Sequence, residues 1–384
     1  MLQPAPPFQR QAYDYIFIGA GCAGLSLLVR MLQSGQFSDK HILLIDKAPK
    51  TANDRTWCFW ETNPGYFDHL VHHRWDRLAF LSDEHTAHMT LSPYQYKMIR
   101  GADFYQYCFG EIARHANTEI VYTTITGWRQ EKGMVYLSAD DREYALGPAT
   151  VFNSIYEPAS GSLRLLQHFK GRVIETDTPC FNPGEATMMD FRVHQEHGTT
   201  FAYVLPFSET KALVEYTLFT RELLAPEQYD AELDDYIRRW LGISSYRIAE
   251  EEFGVIPMTN ERLRFKGQGW QIGTAGGQTK ASSGYTFRFI QKQSDAILQL
   301  LLAGQPLERL KDTPRRFRFY DHTLLYILYH DKVPGKTVFS RLFKKNTPQQ
   351  VLRFLDNESS LAEELKIIRS LPVWPFFKAA MKVT

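Results

Sequence analysis

The order of apolar and polar residues near the start of the chain predicts a strand, a tight turn and a helix. The apolar residues Tyr15–Ile18 precede the small-residue segment Gly19–Gly24, and the apolar run Leu25–Val29 follows directly. A second apolar run, residues 41–45, ends in Asp46. Short apolar runs between turns are typical of buried parallel strands. Residues 15–46 are therefore predicted to form a β-α-β unit.

The turn of this unit has the spacing of a dinucleotide-binding motif. Gly19 suits a tight turn, Gly21 lets the backbone approach a pyrophosphate, and Gly24 lets the helix pack on the strand. N–H groups at the helix N-terminus attract phosphate, and Asp46 stands where a ribose hydroxyl needs an acceptor. These residues leave NAD and FAD equally open, and a plain packing turn is the alternative. The predicted cofactor-binding residues are Gly19, Ala20, Gly21, Cys22, Ala23, Gly24, Asp46 and Lys47.

Further along the chain, helical and alternating patterns separate. Residues 96–114 carry apolar residues at helical spacing, whereas apolar and polar residues alternate between about 171 and 220, which is typical of an antiparallel meander. A helix is predicted at 229–241, and helices with short breaks are predicted from Ile290 onwards. Residues 1–12, rich in Pro and Gln, are predicted to be a disordered lead-in.

Composition narrows the class of protein. The 384 residues suggest two or three subdomains. A formal charge of +1 argues against a nucleic-acid partner. The four cysteines lack C-x-x-C spacing, which argues against a zinc site or a disulfide scaffold and favours the cytoplasm. The histidine pairs at 72–73 and at 194 and 197 bring no further ligands at metal spacing, so no metal is expected. No run reaches the ~20 apolar residues of a membrane-spanning helix.

Three later segments complete a recognisable set. The tryptophan-rich string Arg55–Trp60 follows Asp46, Glu215 stands in the middle of a meander strand, and the glycine loop Gly273–Gly277 precedes Ser283–Tyr285. Together with the glycine turn, these segments resemble the bacterial flavin-dependent lycopene β-cyclases of carotenoid synthesis. The resemblance runs over residues 13–297.

The resemblance and the patterns above imply an α/β fold. It comprises an FAD-binding Rossmann-like domain of the glutathione-reductase type, an inserted antiparallel β-sheet domain for the substrate, and a C-terminal helical region. The FAD-binding domain is expected at 13–70, 98–160 and 250–300. The substrate domain is expected at 71–97 and 161–249, and the helical region at 301–384.

The resemblance also implies an activity. The chain is expected to bind FAD, active in its reduced form with NAD(P)H as the electron source, and to cyclise the linear ψ end groups of lycopene to β-ionone rings. The products are γ-carotene and then β-carotene, with no net redox change, which makes the enzyme an isomerase or intramolecular lyase. Two alternatives stay open: a flavin-dependent monooxygenase or isoprenoid double-bond reductase, and a carrier that binds carotenoid or flavin without catalysis.

Glu215 is the predicted proton donor. Both faces of its strand are mostly apolar, so burial penalises the carboxylate and raises its pKa. A protonated acid at neutral pH suits the protonation of an alkene. The alternatives are a glutamate that faces water at a sheet edge and one paired with a buried arginine.

Aromatic residues are expected to line the site for the carbocation. Trp57, Phe59, Trp60 and Tyr285 offer ring faces, which attract positive charge without acting as nucleophiles. Plain core packing is the alternative for each tryptophan and phenylalanine.

Further cofactor contacts are predicted from two arginines and the late loop. Arg55 and Arg100 are candidates for flavin contacts, with a structural salt bridge as the alternative. Glycines in the late loop let the backbone approach the flavin, and a surface turn is the alternative. The residues concerned are Gly273, Gly276, Gly277, Ser283 and Gly284.

The C-terminal region mixes basic and aromatic residues, which suits an anionic membrane surface. A C40 hydrocarbon is insoluble in water, so its enzyme must meet it at a bilayer. We expect a cytoplasmic protein that lies peripherally on the inner face of the cell membrane, with Leu371–Phe377 in the docking face. A solvated helical cap is the alternative.

Overall fold

The computed structural model describes residues 8–158, 163–259, 261 and 269–383. The strands in these ranges are β1 Tyr15–Ile18, β2 Ile42–Asp46, β3 Thr56–Glu61, β4 His73–Trp75, β5 Arg77–Leu81, β6 Thr86–Thr90, β7 Gln95–Arg100, β8 Thr118–Tyr122, β9 Ile125–Glu131, β10 Met134–Ala139, β11 Arg142–Pro148, β12 Thr150–Asn153, β13 Arg164–Glu175, β14 Glu185–Asp190, β15 Thr199–Pro206, β16 Lys211–Thr220, β17 Arg247–Thr259 and β18 Trp270–Gln271. The helices are α1 Cys22–Gln33, α2 Gly101–Ile112, α3 Pro226–Arg239, α4 Phe287–Leu302, α5 Arg315–Tyr329, α6 Gly335–Lys345, α7 Pro348–Leu355, α8 Leu361–Ser370 and α9 Val373–Val383.

A five-stranded parallel sheet carries the predicted β-α-β unit. Its order is β18-β12-β1-β2-β8, and every neighbouring pair is parallel. One face packs against α1 and α4, and the other faces the three-stranded sheet β9-β10-β11. Both faces are therefore covered, which explains why β1 and β2 read as continuous apolar runs.

A seven-stranded sheet forms the second layer, in the order β17-β13-β16-β15-β14-β5-β6. It contains the predicted meander, and α3 covers one face. Helices α5 to α9 cover the other face, where Phe343 stacks on Phe80 and Phe339 stacks on Phe191. The predicted α/β fold with an antiparallel sheet and C-terminal helices is confirmed. Strand β17 pairs within this large sheet, so residues 250–259 lie with it rather than with the parallel sheet.

The small sheet β3-β7-β4 differs from expectation. Residues 95–100 form strand β7, although a helix was predicted from residue 96, and the helix begins only at Gly101. The side chain of Lys97 is buried because its ammonium donates to Glu61 at 2.9 Å and to Asp68 at 2.6 Å. Pairing of β7 with β3 and β4 thus overrides the helical spacing of apolar residues in the sequence.

The N-terminal segment is packed where it is described. Phe8 is buried and meets the ring of Tyr144 edge to face, and the backbone N–H of Gln9 donates to Glu119. The predicted disordered lead-in therefore does not extend over residues 8–12, because an apolar side chain anchors them to β11. Residues 1–7 of that prediction lie outside the described residues. Within the described ranges, no helix has both the length and the apolar character to cross a membrane.

Candidate functional site

The glycine turn after β1 has the geometry that its sequence predicted. Gly19 has φ +100°, which favours glycine, and its N–H donates to the carbonyl of Ile45 at 2.7 Å. A Cβ on Gly24 would lie 2.4 Å from the carbonyl oxygen of Gly19. The third glycine is thus required for the close packing of α1 on the turn.

The start of α1 fits a phosphate group. Gly21 is the N-cap residue, no side chain caps the helix, and no acidic residue lies in its first turn. A Cβ built on Gly21 would meet no protein atom within 4 Å, so open space lies beside this backbone. Free N–H groups and the positive end of the helix dipole make this space a site for an anion such as a pyrophosphate.

Asp46 lies at the end of β2, beside this turn. Its Oδ2 accepts a hydrogen bond from the N–H of Ala20 at 2.7 Å and pairs with the ammonium of Lys50 at 3.4 Å. Lys47 is exposed. The predicted ribose acceptor is thus in the expected place, with Lys50 as a neighbour that the sequence did not single out.

Cys22 begins α1 and is buried. Burial raises the pKa of its thiol to about 12, and its sulfur lies 3.8 Å from Ser26 Oγ. The thiol is therefore protonated and packs as a small side chain.

The late glycine loop lies directly against this turn. Gly273 has φ +63°, and a Cβ there would lie 2.7 Å from the Cβ of Ala23. A Cβ on Gly276 would lie 2.3 Å from the carbonyl oxygen of Gln271, whereas Gly277 faces open space. Sequence segments some 250 residues apart therefore form one contiguous, glycine-lined surface.

Ser283 and Gly284 continue this surface. The hydroxyl of Ser283 is buried and has no hydrogen-bond partner among the described residues. A buried polar atom without a partner points to a bound group that supplies one. Gly284 has φ +72° and approaches the side chain of Gln167.

A cavity of about 200 Å³ lies between the late loop and the seven-stranded sheet. Thr274, Ser283 and Tyr285 line it from the loop, and Glu215 lines it from β16. Arg55 and Trp57 also line it. The structure thus brings the predicted proton donor and part of the predicted cofactor surface to one cavity.

Glu215 is buried in the middle of β16. Burial raises the pKa of its carboxyl well above the usual range, and the neighbouring charge and hydrogen bond of Glu252 raise it further. Burial thus favours the protonated form of this carboxyl group. The glutamate is buried and pairs with no arginine among the described residues, so the two alternatives of a water-facing or arginine-paired glutamate do not hold.

Glu252 is a site residue that sequence reasoning missed. It lies on β17, and both Glu252 and Glu215 pair with Gly171 on the intervening strand β13. The hydroxyl of Thr56 donates to Glu252 Oε2 at 2.7 Å. Its position beside Glu215 depends on strand register, and the sequence of residues 250–252, Glu-Glu-Glu, carries no signal for it.

The tyrosine and cysteine side chains around Glu215 are neutral. Burial raises the pKa of Tyr96, Tyr203 and Tyr285, and also of the thiol of Cys58, above their usual ranges. The hydroxyl of Tyr285 interacts with those of Tyr96 and Tyr203. The cavity therefore presents phenol rings and an un-ionised acid to its contents.

The four predicted aromatic residues do not all reach this cavity. Trp57 and Tyr285 line it, but Phe59 and Trp60 do not. Phe59 stacks on Phe287 at 4.5 Å, and Trp60 lies behind Tyr285 and donates its indole N–H to the carbonyl of Leu352. Core packing, the alternative weighed for the aromatic string, is what the structure shows for Phe59 and Trp60. Adjacent side chains of a strand point to opposite faces of the sheet, so consecutive aromatic residues of the segment Arg55–Trp60 could not all line the same wall of the cavity.

The two candidate arginines have different surroundings. Arg55 is exposed at the edge of the Glu215 cavity. Arg100 ends β7, and its guanidinium donates to both carboxylate oxygens of Glu250 at 3.1 Å. A structural ion pair, the alternative for Arg100, is thus what the structure shows. In the described part of the chain, no group of three or more potential ligands is placed to hold a metal ion.

Comparisons with known proteins agree with this arrangement. A family model described as "Lycopene cyclase protein" matches residues 14–381. The chain is 27% identical over 254 residues to a lycopene beta-cyclase of Pantoea ananas, covering 64% of this chain and 63% of that relative. It is 24% identical over 390 residues to a lycopene beta-cyclase of Paracoccus sp. (strain N81106 / MBIC 01143), covering 94% and 95%. The match thus spans less than two thirds of the first relative's length and nearly all of the second's.

Solved structures share the fold. A geranylgeranyl bacteriochlorophyll reductase-like protein from Thermoplasma acidophilum matches with a TM-score of 0.65 and 11% identity, over 98% of this chain and all of that one. The flavin-dependent brominase Bmp2 matches with a TM-score of 0.62 and 13% identity, over 92% and 97%. At these identities the likeness concerns the fold alone.

Proposed function

Because the chain belongs to the lycopene cyclase family, we propose that it is a lycopene β-cyclase. In this proposal it converts each linear ψ end group of lycopene to a β-ionone ring, through γ-carotene to β-carotene, without net oxidation or reduction. The observation that carries the proposal is the buried carboxyl of Glu215, whose pKa burial raises well above its usual range, in a cavity lined by aromatic side chains. This combination suits the protonation of an alkene.

The proposed cofactor is FAD. The open space beside Gly21 suits the pyrophosphate, Asp46 suits a ribose, and the partnerless hydroxyl of Ser283 suits a polar edge of the cofactor. The late glycine Gly277 faces open space, which leaves room for close approach, while Gly273 packs against Ala23 of the glycine turn. Reduced FAD supplies negative charge that stabilises a cation held nearby, and we propose NAD(P)H as the source of the electrons.

Glu215 begins the proposed reaction. Its carboxyl proton passes to the terminal alkene of the ψ end group, and Glu215 becomes a carboxylate. The resulting carbocation closes to a six-membered ring through a new carbon–carbon bond. Loss of a proton from a neighbouring ring carbon then forms the ring double bond. One proton enters and one leaves, so the product is an isomer of the substrate.

The walls of the cavity protect the cation in this scheme. Trp57 and Tyr285 offer ring faces that attract positive charge. Tyr96 and Tyr203 stay neutral because burial raises the pKa of each phenol, so neither supplies a phenolate that would capture the cation. Substrate that fills the cavity would displace water, which would otherwise end the reaction as an alcohol.

Helices α8 and α9 support a proposed contact with the inner face of the cell membrane. Their largest exposed apolar side chains are Leu361, Leu365, Val373, Trp374, Phe377 and Met381. Lys378 and Lys382 lie on the same helix as Trp374. Exposed aromatic and aliphatic groups with nearby lysines are typical of helices that lie in a membrane interface. A solvated cap is the competing interpretation.

Pigment analysis separates the proposal from its rivals. Expressed in a host that accumulates lycopene, the chain should convert it to cyclised carotene of the same mass. The purified, flavin-loaded protein should form many products for each NAD(P)H consumed. Consumption of one NAD(P)H for each product would instead indicate a monooxygenase or a double-bond reductase. Bound pigment of unchanged absorption would indicate a carrier.

A further inference from the structure

We propose that Glu252 is a positioning residue for the acid: Glu215 and Glu252 share one proton, and Glu252 thereby keeps Glu215 protonated. This inference rests on the proposed role of Glu215 as proton donor. It concerns a residue on a different strand, which does not line the Glu215 cavity and acts through Glu215 alone.

The register of three strands brings the two carboxyl groups together. Gly171 on β13 pairs with Glu215 on one side and with Glu252 on the other. A Cβ at position 171 would lie 2.9 Å from Cγ of Glu215 and 3.1 Å from Cγ of Glu252. Both contacts are shorter than van der Waals distance. The missing side chain of Gly171 is therefore what lets the two glutamates approach each other over the sheet.

The hydrogen bonds of Glu252 indicate where the proton lies. Its Oε2 accepts the hydroxyl hydrogen of Thr56 at 2.7 Å. Its Oε1 is buried, and no hydrogen-bond donor such as an N–H or a hydroxyl group among the described residues reaches it. Two buried carboxylates side by side cannot both be ionised without a large free-energy cost. A proton carried by Glu215 removes one of the charges and supplies the donor that Oε1 lacks.

Other charges nearby do not replace this proton. The titratable groups buried beside Glu215 are Cys58, Tyr96, Tyr203 and Tyr285, all kept neutral by burial. Arg55 also lines the cavity, but it is exposed at the edge, where solvent screens its charge. On its other side, Glu252 lines a second cavity with His72, Arg100, Lys211 and Glu250. Burial lowers the pKa of His72, which favours its neutral form, and Arg100 is paired with Glu250. Among these groups, Glu252 is therefore the carboxyl whose charge raises the pKa of Glu215.

The test is the pH profile of cyclisation by the FAD-loaded protein. Glu252→Gln keeps the shape of the side chain and removes its charge, so Glu215 should lose its proton at lower pH. We expect the pH at which the cyclisation rate falls on the alkaline side to be lower by about one unit or more in Glu252→Gln. At a pH above this fall in both proteins, the variant should be roughly tenfold slower than the unaltered protein. At low pH the two rates should be equal. An unchanged profile, or an equal loss at every pH, would overturn the proposal.

Glu251→Gln is the matched control. Glu251 is adjacent on β17, but it pairs with Arg172 and Lys170 instead, so its profile should match that of the unaltered protein. Where Glu252→Gln does not fold, Thr56→Val carries the test. Loss of the hydroxyl makes a charge on Glu252 less favourable, so the fall of the cyclisation rate at alkaline pH should occur at higher pH. A fall at the same pH as in the unaltered protein would overturn the proposal.

An infrared titration separates this inference from the proposed function. The carbonyl stretch of a protonated carboxylic acid, present at neutral pH and absent after Glu215→Gln, should disappear at lower pH in Glu252→Gln than in the unaltered protein. If that shift occurs but lycopene is not converted, the carboxyl pair stands and the proposed function fails. If lycopene is converted but the band titrates identically in both proteins, the role of Glu252 fails.

Discussion

Gly171 and Glu215 are paired residues of neighbouring antiparallel strands, and a Cβ on Gly171 would lie 2.9 Å from Cγ of Glu215. The glycine is needed for space, since its φ is not in the left-handed region. The geometry of the acid therefore depends on a residue that takes no part in chemistry.

Gly171→Ala should displace the carboxyl group of Glu215. We expect the free energy of unfolding to fall by about 1–3 kcal/mol, as in other overpacked cores, and cyclisation to fall at least about tenfold while flavin stays bound, because small displacements of a reacting group are costly. The measurements are a urea titration and a pigment assay. Gly127→Ala, where the nearest atom to a new Cβ is 4.0 Å away, is the control and should be close to neutral. Full activity in Gly171→Ala would contradict the tight packing of this pair.

Gly21→Ala should separate folding from flavin binding. A Cβ there meets no protein atom within 4 Å, so we expect the flavin-free chain to lose no more than about 1 kcal/mol of stability. The same methyl group would occupy the space proposed for pyrophosphate, so FAD affinity should fall at least about tenfold. Fluorescence titration with FAD measures it. Gly110→Ala, at an exposed position of helix α2, is the matched control, and equal affinity in both variants would remove the glycine turn from the cofactor site.

His168 should make the protein less stable in mild acid. Burial lowers the pKa of His168 to about 4, and its ring nitrogens bond to Thr220 and Tyr229. Because the folded pKa lies below that of the unfolded chain, the unfolded chain binds the proton first. The stabilising contribution is complete above about pH 6.5 and is lost as the pH falls towards 4.

Comparison with His168→Gln isolates this contribution. Between pH 7 and pH 4 the unaltered protein should lose roughly 2 kcal/mol more unfolding free energy than His168→Gln, as measured by urea titration at each pH. His194→Gln, at an exposed turn position, is the control and should follow the unaltered protein. Parallel losses in all three proteins would contradict the burial of a neutral His168.

Trp374 and Phe377 should anchor the protein to membranes. Both are exposed on α9, at 73% and 54%. Their replacement by glutamate should weaken binding to vesicles of neutral and anionic phospholipid at least about tenfold, since each large apolar side chain contributes about 1.5–3 kcal/mol when buried. Sedimentation with vesicles measures the binding. Leu223→Glu, an exposed position after β16, should bind as the unaltered protein does, and equal binding by all three would favour a solvated cap.

The sequence predicted the elements whose chemistry is local. The turn at Gly19 and the burial of Glu215 follow from neighbours along the chain, and both were found as expected. Glu252 was missed because its partner strand lies 81 positions earlier, at Gly171. Strand register determines which carboxyl group lies beside which glycine. The apolar pattern within a single strand does not predict that register.

Two further differences have the same origin. The helical spacing near residue 96 was misleading because residues 95–100 pair as a strand with β3 and β4. Trp60 was expected beside the cation, but tertiary packing placed Tyr285 between it and the cavity. The local sequence pattern predicts that a residue is buried. The three-dimensional fold determines which surface that residue packs against.

Conversion of lycopene by Glu215→Gln, compared with the unaltered protein in a lycopene-accumulating host, tests the proposed role of Glu215 most directly. A glutamine side chain has nearly the same shape as the glutamate it replaces and no acidic proton, so the variant should fold, hold flavin and leave lycopene linear. Glu209→Gln, at the exposed turn between β15 and β16, is the control and should yield β-carotene as the unaltered protein does. Formation of β-carotene by folded Glu215→Gln at the unaltered rate would contradict the assignment of Glu215 as the acid.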